Sequence, residues 1–221
     1  MYCETVSIEG AGGLTLTAEA NGESGAMPVL LAHGGGQTRR AWKNVVGDLA
    51  EAGFHAIAID MRGHGDSEWA ADGAYETHDF ASDLVDIVSR MERKPALVGA
   101  SLGGMAGILA EGDLAPGSFA SLTLVDIAPQ MEVSGVNRIV GFMEEHIETG
   151  FASPEEASEA IARYMPLRRK RSSGEGLRNY LRHKADGRYY WHWDPAFILS
   201  SRTVSKRDEG RHQRQFEALS Q

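Results

Sequence analysis

The chain has 221 residues, 42% of them hydrophobic, with 22 Lys and Arg against 31 Asp and Glu for a net charge of −9. That length supports one sizeable core, or a core with an inserted subdomain, and the acidic balance argues against nucleic acid as a partner. No apolar run approaches the ~20 residues that span a bilayer, the N-terminus shows no signal-peptide pattern, and the single cysteine, Cys3, excludes an internal disulfide, so a cytoplasmic protein without a membrane partner is expected.

Thr5 to Ile8 and Leu14 to Ala18 read as short strands joined by the turn Gly10-Ala11-Gly12-Gly13. Val29-Leu30-Leu31-Ala32 is continuously apolar, as for a strand buried on both faces. From Ala41 to Ala52, residues Trp42, Val45, Val46 and Leu49 recur at helical spacing, with Gly53 as a C-terminal cap. A strand at His55 to Ile59, a helix at Phe80 to Met91, a strand at Ala96 to Val98, a helix at Leu102 to Glu111 and a strand at Leu122 to Val125 follow. A hairpin followed by repeated βα units builds an α/β fold with a mostly parallel sheet and helices on both faces. Beyond Pro129 only helices are expected. There Ser153-Pro154-Glu155-Glu156 has the form of a capping box with proline at N1, opening a helix to about Met165.

The chemistry concentrates in loops at the carboxyl ends of these strands, where open α/β sheets hold ligands. Gly99-Ala100-Ser101-Leu102-Gly103 is a G-x-S-x-G pentapeptide between a strand and a helix. A serine on so sharp a turn needs flanking glycines, because Cβ atoms there would collide with the adjacent strand and helix. The hydroxyl then stands above the sheet edge, at a helix start whose backbone N–H groups are free. Earlier in the chain, His33-Gly34-Gly35-Gly36-Gln37 offers a glycine backbone that can approach a developing oxyanion closely. Asp60-Met61-Arg62-Gly63-His64-Gly65-Asp66-Ser67 follows the next strand.

In order and spacing these three segments resemble the α/β-hydrolase superfamily, and Leu122 to Pro129 is similar to its sixth strand. The resemblance covers roughly residues 5 to 129, with the following segment similar to the family's helical cap. It implies Ser101 as nucleophile, the backbone N–H groups of Gly35 and Leu102 as oxyanion hole, no cofactor or metal, and a small-molecule acyl substrate. The implied organisation is a hydrolase core over 1–129, a helical cap over 130–200 and a helical return segment over 201–221. A serine nucleophile sets the chain apart from the aspartate-nucleophile branches, the epoxide hydrolases and haloalkane dehalogenases.

The family's acid and base normally follow the seventh and eighth strands, in the order Ser, acid, His. No late strand–Asp turn or Gly-His pair occurs before Gln221. The expectation is therefore an α/β-hydrolase fold that is C-terminally incomplete, either a serine hydrolase or a non-catalytic binding protein of the same fold. Asp126, at the end of the sixth strand, is a candidate acid, although a carboxylate capping the next loop is the plainer reading. Among the eight histidines, His33 and His64 read as structural loop residues, and His146 and His183 as solvated positions on cap helices. His192, within Tyr189-Tyr190-Trp191-His192-Trp193-Asp194-Pro195, is the histidine whose aromatic setting would let it overhang the pocket, with a role as base the lesser reading. The basic run Arg168 to Arg171 reads as a solvated loop. A dinucleotide site ending at Asp60 fails because its third glycine falls on Arg39, and Tyr180 and Lys184, spaced as in short-chain dehydrogenases, lie away from the parallel core.

Overall fold

The computed structural model describes residues 3–127, 133–165 and 174–201. The antiparallel hairpin β1 (Glu4–Glu9) and β2 (Thr15–Asn21) comes first, followed by β3 (Met27–Ala32), α1 (Lys43–Glu51), β4 (Phe54–Ile59), α2 (Thr77–Ser89), β5 (Ala96–Ala100), α3 (Leu102–Leu109) and β6 (Ser121–Val125). The sheet order is β1-β2-β4-β3-β5-β6. β2 pairs antiparallel with β4, whereas β4, β3, β5 and β6 are mutually parallel. The mostly parallel α/β sheet expected from the sequence is present.

Alternation along β3 shows why its apolar run is continuous. Val29 and Leu31 pack with Val46 of α1 and with Ala56 and Ala58, while Leu30 and Ala32 point into the larger core with Phe80 and Leu84 of α2 and Met105 and Leu109 of α3. A strand covered on both faces has no position for a polar side chain, and each buried leucine contributes roughly 1.5–3 kcal/mol of burial. The α1 region begins with a tighter 3-10 turn, Arg39–Trp42. The helix after the Ser101 turn gives way after Leu109 to a wide turn over Ala110–Leu114. β6 is the sheet edge among the described residues, with Val125 exposed.

After β6 come α4 (Val133–Glu144), α5 (Pro154–Tyr164), α6 (Gly174–Leu177), β7 (Leu181–His183), β8 (Tyr189–Trp191) and α7 (Ala196–Leu199). Only half of the expected capping box forms: Ser153 Oγ accepts from Glu156 N–H, but the Glu156 carboxylate accepts from Ala152 N–H, one residue before the cap, and not from Ser153. The expectation of helices alone is corrected by the β7–β8 hairpin. Its turn is Asp186-Gly187, where Gly187 has φ of 79° and Gly187 N–H bonds Lys184 C=O at 3.0 Å; only a glycine takes that backbone cheaply, which closes the strands. His183 accordingly lies on β7, against Tyr189, and not on a helix. His146 is in the turn after α4, with φ of 65° and its ring 4.4 Å from Phe151, so it too is not on a helix. Arg168 to Arg171 and nearly all of the expected return segment lie outside the described residues. No described helix is long and apolar enough to cross a membrane.

Candidate active site

Ser101 sits between β5 and α3 with φ of 44° and ψ of −108°, a conformation that L-residues rarely adopt. The turn is held from both sides: Ser101 N–H bonds Val125 C=O of β6, and Gly103 N–H bonds His33 C=O of the loop after β3. A Cβ on Gly99 would lie 2.6 Å from Gly103 O, and one on Gly103 would lie 2.5 Å from Ala32 O. Both flanking glycines are therefore required by close backbone approach.

The loop after β3 lies against this turn. A Cβ placed on Gly34 would be 3.4 Å from Ser101 Cβ, and one on Gly35 would be 3.9 Å from Leu102 Cδ2. Gly34 N–H donates to Gln37 Oε1, Gln37 N–H to Gly34 O, and Gly36 N–H to His64 Nε2. With Gly103 N–H spent on His33, the amides of Gly35 and of Leu102, the first residue of α3, have no protein acceptor among the described residues.

Three buried histidines set this loop. His33 Nε2 accepts Met61 N–H at 3.0 Å, which leaves Nδ1–H to donate to Gly34 O at 2.8 Å. Gly34 C=O and Gly35 N–H share one peptide plane, so that bond also fixes where the Gly35 amide points. His64 Nε2 accepts Gly36 N–H at 3.1 Å and its Nδ1–H donates to Arg62 O at 2.9 Å. His192, just beyond β8, accepts Gly65 N–H at Nδ1 (2.8 Å) and donates from Nε2–H to Gly36 O at 3.2 Å. Each ring thus uses one nitrogen as acceptor, which protonation would abolish. Burial, reinforced by the neighbouring imidazoles, pushes all three down to about 3. His192 is therefore corrected from candidate base to structural wedge, since both of its nitrogens are bonded to backbone.

Ionic contacts brace the same loops. Arg39 donates its backbone N–H and its guanidinium to the buried Asp60, and Asp66 N–H also bonds Asp60. This is what occupies the position where a dinucleotide site would need glycine. Arg62 makes a two-pronged pair with Asp83 of α2, both bonds at 2.6 Å, and Asp83 also accepts Ala11 N–H from the hairpin turn. From the late segment, Asp194 N–H bonds Gly63 O, and Asp194 Oδ2 accepts the Tyr75 hydroxyl at 2.6 Å. Burial and that bond raise the Tyr75 pKa, keeping it a donor.

Asp126 follows β6, the strand next to Ser101's own, and is exposed with φ of 53°. Among the described residues no histidine is bonded to Asp126 or to the Ser101 hydroxyl, and no cluster of His, Cys, Asp and Glu could hold a metal ion. A cavity of about 460 Å³ is lined by Gly35, Gly36 and Gln37, by residues of α4 and α5, and by Trp191 and Trp193. Trp191 and Trp193 of the late aromatic run are buried and line this cavity.

A parallel sheet with a glycine-braced serine turn at its carboxyl edge defines the class, and comparison agrees: the alpha/beta hydrolase fold family profile matches residues 27–202, and the chain belongs to that family. It is similar to esterase Rv0045c of Mycobacterium tuberculosis, with 30% identity over 173 residues, 75% of this chain and 56% of that protein. It is also similar to epoxide hydrolase A of the same organism, with 36% identity over 89 residues, 40% of this chain and 28% of that protein. The chain thus spans about half the length, or less, of these curated relatives. A solved alpha/beta hydrolase from Novosphingobium aromaticivorans shares the fold, with TM-score 0.81 at 21% identity over 99% of this chain and 78% of that one. A structure of the M. tuberculosis esterase gives TM-score 0.70 at 26% identity over 99% and 72%.

Proposed function

We propose that the chain is a serine hydrolase that cleaves a small carboxylic ester, lactone, thioester or related acyl or C–C substrate through an acyl-enzyme on Ser101. The observation that carries this reading is the strained Ser101 backbone beside two amides without protein acceptors, those of Gly35 and Leu102. Ser101 Oγ would attack the carbonyl carbon, and the oxygen that gains charge would be held by these amides. Fixed donors of this kind are worth about 3–4 kcal/mol each in transition-state stabilisation. The C–O, C–S or C–C bond to the leaving group then breaks, the leaving group takes the proton that the base received from Ser101, and that base next takes a proton from the water that hydrolyses the acyl-enzyme and returns it to Ser101. The base that receives the Ser101 proton is none of His33, His64 and His192, whose nitrogens are spent on backbone. Asp126 would serve as the acid only through a histidine brought against it.

Resemblance to an esterase over three quarters of the chain supports the reaction class. Resemblance to an epoxide hydrolase does not change the nucleophile, because this chain carries serine in the elbow. Intact mass after incubation with a fluorophosphonate, on the unaltered chain and on Ser101→Ala, tests the proposal. A stoichiometric adduct on the unaltered chain alone supports it. No adduct on folded protein overturns it in favour of a non-catalytic binding protein.

A further inference from the structure

Gly34-Gly35-Gly36 has no side chain to fix its direction, and glycine backbone rotates more freely than any other. The chemistry at Ser101 nevertheless needs one amide of this loop, that of Gly35, to point one way. Two bonds within the loop, Gly34 N–H to Gln37 Oε1 and Gln37 N–H to Gly34 O, would travel with it if it moved. Three imidazoles tie it to the rest of the fold, and each takes a different peptide. His33 Nδ1–H holds the C=O of the Gly34–Gly35 peptide, His64 Nε2 the N–H of the Gly35–Gly36 peptide, and His192 Nε2–H the C=O of the Gly36–Gln37 peptide. A peptide unit is planar, so one bond sets the direction of the whole unit.

His33 and His64 follow β3 and β4, whereas His192 comes from the late segment, where it is itself firmly held. Its Nδ1 accepts Gly65 N–H at 2.8 Å, its C=O accepts Arg182 Nε–H at 3.0 Å, and its ring meets Trp193 edge-on. Arg182 also donates from Nη2 to Gly65 O at 2.9 Å, so one guanidinium braces His192 and the loop that His192 grips. We propose that His192 is a positioning residue for the reaction at Ser101: through the Gly36 carbonyl it fixes the third peptide of the loop, and with it the direction of the Gly35 amide. The reaction named here rests on the hydrolase reading; the tie rests on the bonds alone. A donor aimed in advance needs no reorganisation as charge develops, and a misplacement of about 1 Å can cost about 100-fold in rate.

Two amide variants separate positioning from a general structural role. His192→Gln places an N–H donor near the imidazole Nε2, keeping the bond to Gly36 O and giving up the acceptor for Gly65 N–H. His192→Asn does the reverse, with an acceptor near Nδ1 and no reach to Gly36. Labelling by a fluorophosphonate, followed by intact mass over time, gives the saturated rate and the half-saturating concentration. His192→Asn should lower the saturated rate about 10–100-fold with the half-saturating concentration within about threefold, and His192→Gln should recover most of that rate. Arg182→Met, at an exposed position, removes the shared brace and should lower the rate by less. Circular dichroism confirms folding, and amide hydrogen exchange over residues 33–37 should be faster in His192→Asn than in His192→Gln. Equal saturated rates in the two His192 variants overturn the proposal; should His192→Asn not fold, an unchanged rate in Arg182→Met does so. An unaltered chain that takes no label, with exchange faster in His192→Asn alone, refutes the hydrolase reading and upholds His192 as the tie on the loop. Labelling of Ser101 with equal rates and equal exchange in the two variants does the opposite.

Discussion

Acid should unfold this protein through His33, His64 and His192, and the steepness of the loss can be worked out. Each imidazole is held neutral in the fold, down to about 3, because it accepts one backbone N–H and is buried. In the unfolded chain each returns to the ordinary value near 6.5. Their contribution is therefore complete above pH 6.5 and is lost as pH falls from 6.5 towards 3. At pH 5, about 1.5 units into that window, each group withdraws about 2 kcal/mol, so the three together withdraw about 6 kcal/mol. That is comparable to the whole stability of many domains, about 5–15 kcal/mol. Urea unfolding followed by circular dichroism between pH 5 and 7.5 should give a slope near 4 kcal/mol per pH unit below pH 6, the signature of about three protons taken up on unfolding. His64→Gln should remove about one proton from that slope. A slope equivalent to less than one proton, with unchanged m-values, would refute the neutral-imidazole account.

Three further outcomes are expected. Asp83→Asn should destabilise by about 3–5 kcal/mol, because it leaves the buried Arg62 guanidinium without its counter-charge; replacing Arg62 and Asp83 together by apolar residues should cost much less, as a double-mutant cycle would show. Gly103→Ala should lower stability by at least about 2 kcal/mol, read as a fall in Tm, since the new Cβ would lie 2.5 Å from Ala32 O; an unchanged Tm would mean that the elbow is looser than described. Ser153→Ala should cost about 1 kcal/mol through loss of the bond to Glu156 N–H, measurable by urea titration.

The sheet was legible because its signals are local. Val29 to Ala32 announces a strand buried on both faces, and Gly99 with Gly103 announces a turn that tolerates no Cβ. The β7–β8 hairpin is legible as well, since Asp186-Gly187 followed by Tyr189-Tyr190-Trp191 is a turn-and-strand signal, set in a late segment whose other signals are helical. What no local pattern could show is the histidine clamp. His192 meets Gly65 and Gly36, at sequence separations of 127 and 156 residues. An imidazole that accepts one amide and donates to one carbonyl looks, in sequence, like any histidine beside aromatics. The cavity was hidden for the same reason, because α4, α5 and β8 contribute to one wall from distant stretches of chain.

The clamp on Gly36 bears on how such proteins can be recombined. Its N–H is held by a core histidine and its C=O by one from the late segment, so the peptide beside Gly35 is shared property of two parts of the chain. A late segment transplanted from a relative to change ligand preference would deliver a new wall and at the same time remove one of the bonds that aim the loop. Chimeras should therefore keep His192 to Pro195 from the recipient and exchange only what lies upstream, treating those four residues as part of the core in all but position.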